Sequence, residues 1–245
     1  MVFNTGEEEN TEMERKGLLP VLVVAVMAVL TGWAGNAGAE AQINTAGKFR
    51  IEGVLGFGGG LSSIDVGTTS KGDAVKISGG GGFGGMVTAG YGITPKLDID
   101  LSLGTQESTL TPAVSNADAS FSRNLMLVTL KYMIPLQQTS RIKIGAGIGS
   151  YKSGKLDVDL VAAGGTHLIV NYNDATGIHF GGELEAFIRP DVSISLGLKY
   201  YSVKYSASSV TEDGISYPTS ALTNSKIRDL DGSGIDLFAG MAKYF

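Results

Sequence analysis

The chain has 245 residues, no cysteine, 36 glycines and a formal net charge of −5, and only 18% of its residues are charged, against ~25% in typical soluble domains. The absence of cysteine excludes disulfides and thiolate metal sites, and without a basic patch nucleic acid is not an expected partner. Apolar residues make up 43% of the chain. Beyond the amino terminus they alternate with polar residues, so the repeated apolar runs of about 20 residues found in helical membrane proteins are lacking.

The amino terminus has the residue order of a secretory signal peptide. Arg15 and Lys16 precede an apolar run over residues 17–30, and small residues ending at Ala39 follow it. This order predicts export and cleavage after Ala39, which makes residues 1–39 the signal peptide. The first twelve residues are acidic where positive charge is expected, which favours Met13 as the true start. A single membrane anchor is the alternative, since the run approaches the lower limit of spanning length.

After a short polar lead, residues 40–47, the chain predicts eight β-strands with alternating apolar and small or polar residues. They cover residues 49–57, 83–93, 97–103, 124–132, 141–149, 178–188, 192–200 and 234–245. Short turns with Pro95, Pro135 and Pro190 alternate with long polar loops, as in outer-membrane barrels. The predicted fold is therefore all-β: an eight-stranded antiparallel up-and-down transmembrane β-barrel over residues 48–245.

Residues 150–176 predict a hairpin that carries the fifth and sixth strands beyond the membrane. Leu156 and Val158 keep the parity of the outward Ile148, and Val170 keeps that of Ile178. Because the alternation is unbroken, two continuous strands are favoured. A ten-stranded barrel, in which this segment adds two spans, is the alternative.

Bulky outward residues bracket several strands at a spacing of eight. Along tilted strands this spacing climbs on the order of 20 Å, close to the ~25 Å apolar band between the aromatic girdles of a membrane barrel. Phe245, at the end of the chain, shares this outward face. The predicted girdle residues are Phe49, Phe57, Phe83, Tyr91, Tyr132, Phe180 and Tyr200.

The opposite faces of the strands carry charged side chains. They are expected to point inward, since a Lys or Arg facing lipid at the midplane costs about 2–4 kcal/mol. Eight strands enclose a space just wide enough for side chains to fill, so the prediction is a packed ion-pair network that closes the barrel. A gated ion path through it is the alternative. The predicted network is Arg50, Glu52, Asp98, Asp100, Lys131, Arg141, Lys143, Glu183, Glu185, Lys199 and Asp236.

Three other patterns resemble parts of functional motifs but are better explained by a structural role. Residues 79–85 are glycine-rich but lack the Lys-Ser/Thr of a phosphate-binding loop. Residues 229–234 begin like a calcium loop, but Gly240 stands where a bidentate Glu is required. His167 and His179 are the only histidines, and neither belongs to the His-x-Ser element of lipid-deacylating barrels. We therefore expect no catalytic residues, no cofactor and no metal site.

The turn residues 90–97 (Gly-Tyr-Gly-Ile-Thr-Pro-Lys-Leu), the glycine-rich aromatic strand ends and the terminal Lys243-Tyr244-Phe245 resemble the small bacterial outer-membrane barrels that include the OmpA transmembrane domain and OmpX. The resemblance covers residues 48–245 and implies an outer-membrane location in contact with lipid. It also implies periplasmic chaperones and the barrel assembly machinery as partners in biogenesis, with the terminal strand and its Phe245 as the assembly signal. Lys243 departs from the family, which commonly has an aromatic residue there.

These features predict a non-enzymatic integral outer-membrane protein with a structural or surface-interaction role. Fold alone does not assign a role, so two other hypotheses stay open. One is a narrow, porin-like channel for small solutes. The other is a lipid-modifying barrel enzyme, for which His179 would be the residue to test.

Overall fold

The computed structural model describes residues 2–3, 44–69 and 71–245. The predicted cleavage after Ala39, the alternative start at Met13 and the first part of the polar lead lie outside the described residues. Val2–Phe3 forms a two-residue strand that pairs in parallel with the strand Ile64–Thr69. Within the described ranges, no helix is both long enough and apolar enough to cross a membrane.

Eight antiparallel strands form a closed barrel. Each strand pairs with the next along the chain, and the last pairs with the first. The predicted eight-stranded up-and-down barrel is therefore confirmed, and the ten-stranded alternative is wrong. The strands are β1 (Phe49–Gly60), β2 (Gly81–Thr94), β3 (Leu97–Thr109), β4 (Asp118–Gln137), β5 (Ser140–Asp159), β6 (Ala175–Arg189), β7 (Val192–Ser202) and β8 (Gly234–Tyr244).

Two-residue turns join the strands at one end of the barrel. Thr94 pairs with Leu97, and Arg189 pairs with Val192, so Pro95 and Pro190 each begin a turn. Pro135 does not, although the sequence suggested it. It lies within β4, next to a shift of register, and irregularities of this kind are where a strand tolerates the missing N–H of proline.

The outside of the barrel is covered by apolar side chains. Residues such as Leu55 and Ile148 are more than 60% exposed, and contiguous apolar exposure on this scale marks a surface that is not in contact with water. The predicted girdle residues also lie on this face. Phe57 pairs with Phe83, and the rings of Phe180 and Tyr200 have centroids 4.8 Å apart.

At the end opposite the two-residue turns, the chain forms a folded extension that we call the head: the described residues of 61–80, 110–122, 152–174 and 203–233. Strand β5 continues into it and pairs with His167–Tyr172, which pairs with Lys204–Glu212, which in turn pairs with Ile215–Tyr217. The head also contains the strands Ile64–Thr69, Ala74–Ile77 and Asp229–Asp231, the 3-10 helices Val161–Ala163 and Thr219–Ala221, and a short α-helix, α1 (Ser225–Arg228).

The side-chain alternation of β5 reverses where the strand enters the head. Ser153 has a left-handed φ of 54°, and the register against β4 shifts by one residue there. An inserted residue turns all later side chains to the other face of the sheet. The expectation that Leu156, Val158 and Val170 remain outward is therefore wrong, because all three are buried.

These inward side chains give the head its own apolar core. Three aromatic rings lie at its centre. The ring of Phe121 contacts those of Tyr172 and Tyr205 edge to face, with centroids 5.8 and 5.4 Å away. Buried aliphatic residues from all four segments of the head pack around these rings. The head is therefore a packed structure that covers the barrel mouth, not a set of separate loops.

Candidate functional site

The predicted interior charges all point into the barrel. Nine of the eleven are buried, and the side chains of the other two, Lys131 and Lys199, are only 15% and 12% exposed. Alternation along the strands explains this placement, since each charged residue occupies the inward parity of its strand. All eleven lie within 4 Å of an oppositely charged partner. Nine of them form one connected network, and Lys199 and Asp236 form a separate pair.

Arg50 on β1 is the centre of the first part of the network. Its guanidinium donates to both oxygens of Asp100 at 2.7 Å and to Asp98 at 3.2 Å. Its Nε lies 3.6 Å from Glu52, which also accepts a 2.9 Å hydrogen bond from Ser195. A buried cation with several close carboxylates is well compensated, but removal of one partner would leave an uncompensated charge.

The network continues across β4, β5 and β6. Lys131 bridges Asp100 at 3.1 Å and Glu183 at 2.9 Å. Lys143 lies 3.3 Å from Glu183 and 2.9 Å from Glu185, and Arg141 donates to Glu185 at 2.6 Å. A continuous chain of ion pairs therefore fills the barrel from β1 to β6.

Tyr244 on β8 completes this network, and the sequence reasoning missed it. Its hydroxyl donates to Glu185 at 2.6 Å and accepts from Arg50 at 3.1 Å and from Arg141 at 2.9 Å. The signal that could have found it is the alternation of β8, because Tyr244 has the same inward parity as Asp236.

Arg123 on β4 is a second buried residue that was missed. Its guanidinium donates to the carbonyl oxygens of Gly79 and Gly232, at 3.1 and 2.9 Å, and to Gln106 and Tyr201, both at 2.7 Å. It shares the inward parity of Lys131, but the strand was expected to begin only at residue 124. The observed β4 begins at Asp118.

Arg123 balances the interior charge. Among the described residues, the barrel interior holds six carboxylates and, with Arg123, six cations. Arg123 reaches its carboxylate indirectly, since Gln106 and Tyr201 both donate to Asp236, at 3.0 and 3.3 Å. Because its carbonyl partners belong to two different loops of the head, Arg123 ties the head to the barrel.

The glycine-rich residues 79–85 serve this same junction. Gly81 and Gly82 have left-handed φ values of 73° and 91°, which favour glycine. A Cβ atom on Gly82 would lie 1.9 Å from the carbonyl oxygen of Glu107. The glycines therefore permit a close approach of β2 to β3 beneath the head.

The opposite end of the barrel is covered by residues 44–47, the described part of the polar lead. Thr45 is buried, and its hydroxyl accepts a 2.9 Å hydrogen bond from Arg141. The amide of Gly47 donates to the carbonyl oxygen of Gly92 at 2.7 Å, which holds the lead against the end of β2. The ion-pair network is thus shielded at the turn end as well as at the head.

Comparison with solved structures identifies the fold. Neisserial surface protein A matches with a TM-score of 0.50 at 16% identity, over 81% of this chain and 99% of that one. The outer membrane protein OprG from Pseudomonas aeruginosa also has a TM-score of 0.50, at 15% identity, over 84% and 99%. No protein-family model and no curated protein sequence matches the chain.

The chain has the fold of the small outer-membrane β-barrels. The resemblance inferred from the turn and the terminal residues is confirmed at this level. This fold and the apolar outer face are together those of an integral protein of the bacterial outer membrane. It does not assign an activity, because the same barrel supports many functions.

The two histidines lie in different environments. His179 is buried in the barrel interior, and its Nε2 lies 2.8 Å from the hydroxyl of Thr129. His167 lies in the head, with its Nε2 2.7 Å from Asp157. Among the described residues, no three His, Asp or Glu side chains form a group that could hold a metal ion.

We predict that Tyr244→Phe lowers the free energy of unfolding by about 1–3 kcal/mol, because it leaves buried charged groups without a hydrogen-bond partner. Urea titration of the refolded protein in lipid vesicles would measure this. Tyr91→Phe is the matched control. Because Tyr91 is exposed on the outer face, the loss of its hydroxyl should change the free energy of unfolding little. Equal stability of the two variants would contradict the role of Tyr244.

We also predict that His167 titrates above the ordinary value of about 6.5. The hydrogen bond to Asp157 raises the pKa of His167, because it favours the protonated ring. While Asp157 is ionised, the contact therefore stabilises the head fully at pH values below the ordinary histidine pKa, and this contribution is lost as the pH rises through the raised pKa. NMR titration of the ring would measure the pKa, and Asp157→Asn should lower it. A pKa at or below the ordinary value in the wild type would refute the prediction.

Proposed function

We propose that the protein uses a closed barrel to hold the head at the cell surface, for contact with a partner or for integrity of the envelope, and that it does not conduct solutes. The observation that supports this proposal most strongly is that side chains close the interior at three successive levels along the barrel axis. Ion pairs fill the turn end, the layer around Arg123 lies above them, and the apolar core of the head covers the mouth.

The different lengths of the connections at the two ends of the barrel support one orientation of the protein in the membrane. The two-residue turns would face the periplasm and the head the exterior, as in barrels with short periplasmic turns and long outer loops. Lys243 and Asp191 form an exposed ion pair at the turn end. There a lysine can extend to the interface while its stem packs against apolar surface.

The surface-contact part of the proposal rests on the edge of the head sheet. In the 150–176 hairpin, His167–Tyr172 is paired on both sides and offers no free edge. The exposed edge is instead Ile215–Tyr217, which pairs only with Lys204–Glu212 among the described strands. Ile215 and Tyr217 are exposed, and an edge with apolar side chains is suited to the addition of a partner strand.

The position of His179 argues against the enzyme hypothesis. A lipid-modifying residue would have to reach the lipid face, but His179 points into a closed interior and hydrogen bonds Thr129 rather than a carboxylate. A catalytic base normally has a third group that orients it. The non-enzymatic proposal is therefore the better supported one.

We predict that the purified protein produces no discrete conductance steps in planar lipid bilayers, because desolvated ion pairs occupy the path. A known porin reconstituted under the same conditions would show that insertion is detected. Reproducible unitary steps from the wild type would favour the narrow, porin-like channel instead. The measurement requires the full refolded chain with its head intact.

We further propose that periplasmic chaperones and the barrel assembly machinery insert the chain and that Phe245 is part of the signal. The side chain of Phe245 is exposed, and its amide donates to the carbonyl oxygen of Phe49 at 2.9 Å. Deletion of Phe245 should strongly reduce the amount in the outer membrane, whereas Lys243→Tyr should not. Equal levels of wild type and deletion variant would disprove this role.

A further inference from the structure

The barrel interior contains a cavity of about 70 Å3 between the ion-pair network and the layer around Arg123. A cavity measured in this way needs roughly 10–15 Å3 to hold one water molecule, so this one has room for several waters or for a small inorganic ion. Val54, Leu127 and Phe238 form an apolar part of its wall, and His179 and Lys199 contribute polar groups.

Lys199 has a single carboxylate partner, at the long end of the ion-pair range. Its ammonium group lies 3.6 Å from the carboxylate of Asp236 and 3.8 Å from the sulfur of Met86. Asp236 already accepts hydrogen bonds from Gln106 and Tyr201. A lysine has three N–H donors, and here they meet these two long contacts and the ring of Tyr201, whose centroid is 5.9 Å away.

His179 also has unused hydrogen-bonding capacity. Its side chain is only 4% exposed, and its Nδ1 is buried without a hydrogen-bond partner in the protein. When the hydroxyl of Thr129 donates to Nε2, the proton of the neutral ring lies on Nδ1, which is then a donor. Buried polar atoms are rarely left unpaired, so Nδ1 needs an explanation.

The charges that line the cavity favour an anion. They are three cations, Lys131, Lys143 and Lys199, and two carboxylates, Glu52 and Glu183. The carboxylates are already engaged, since Glu183 contacts both Lys131 and Lys143 and Glu52 accepts from Ser195. Lys131 and Lys143 also contact Asp100 and Glu185. Lys199 is therefore the cation of the lining whose charge is least compensated, and a small anion beside it would be attracted strongly in this weakly screened interior.

We propose that this cavity binds one small monovalent inorganic anion, of the chloride or bromide class, between the ammonium group of Lys199 and the Nδ1–H of His179. The ion gives Lys199 a close counter-charge and gives His179 an acceptor. Since these residues lie on β7 and β6, the bound ion links two strands of the barrel wall. A ligand that binds only the folded state stabilises it by mass action.

Anomalous diffraction from wild-type crystals equilibrated with bromide would test the site directly. The expected result is a bromide peak inside the barrel, in contact with both Lys199 and His179. A cavity that contains only water, or no anomalous peak at this position, would overturn the proposal. This test needs no variant and so does not depend on whether a substituted chain folds.

Thermal unfolding in detergent gives a second test. The unfolding midpoint of the wild type should rise with chloride and then saturate, relative to gluconate at equal ionic strength. Lys199→Met should abolish this difference, whereas Lys96→Met, at an exposed turn, should retain it. No chloride-specific rise in the wild type, or the same rise in Lys199→Met, would refute the anion site.

Discussion

Closure of the sheet between β8 and β1 is the constraint on which the rest of the structure depends. A lipid-exposed sheet must pair every strand, because unpaired backbone groups find no water in the hydrocarbon region. The seam pairs Tyr244 directly with Arg50. The same register that closes the backbone therefore brings the central hydroxyl of the interior network to its central cation.

The interior is divided along the barrel axis by the chemistry of its side chains. Charged residues in the turn-side half compensate one another, as groups removed from water must. In the head, the reversal of alternation at Ser153 turns apolar residues inward, and burial of their surface stabilises the loops. Arg123 lies at the boundary, with its guanidinium 4.7 Å from the centre of the Tyr201 ring. It joins the two halves through both hydrogen bonds and aromatic contact.

This division bears on function. Because side chains close the interior and the head is ordered, contacts with other molecules are expected at the outer surface of the head. The barrel provides the rigid base that holds this surface. The small cavity near His179 is lined by residues of the ion-pair network, among them Lys143 and Glu183. It is therefore better suited to holding an ion within the fold than to passing one across the membrane.

The sequence by itself determined the class of fold, the eight strands and the inward placement of eleven charges, because alternation with a period of two depends only on local geometry. Only the tertiary structure decided which charges meet. Arg141 and Glu185 are 44 residues apart, and register is a property of the closed sheet. The burial of Leu156 depends likewise on a single bulge, which local alternation does not reveal. Parity places Tyr244 and Arg123 inward, but their partners depend on the register of the closed sheet.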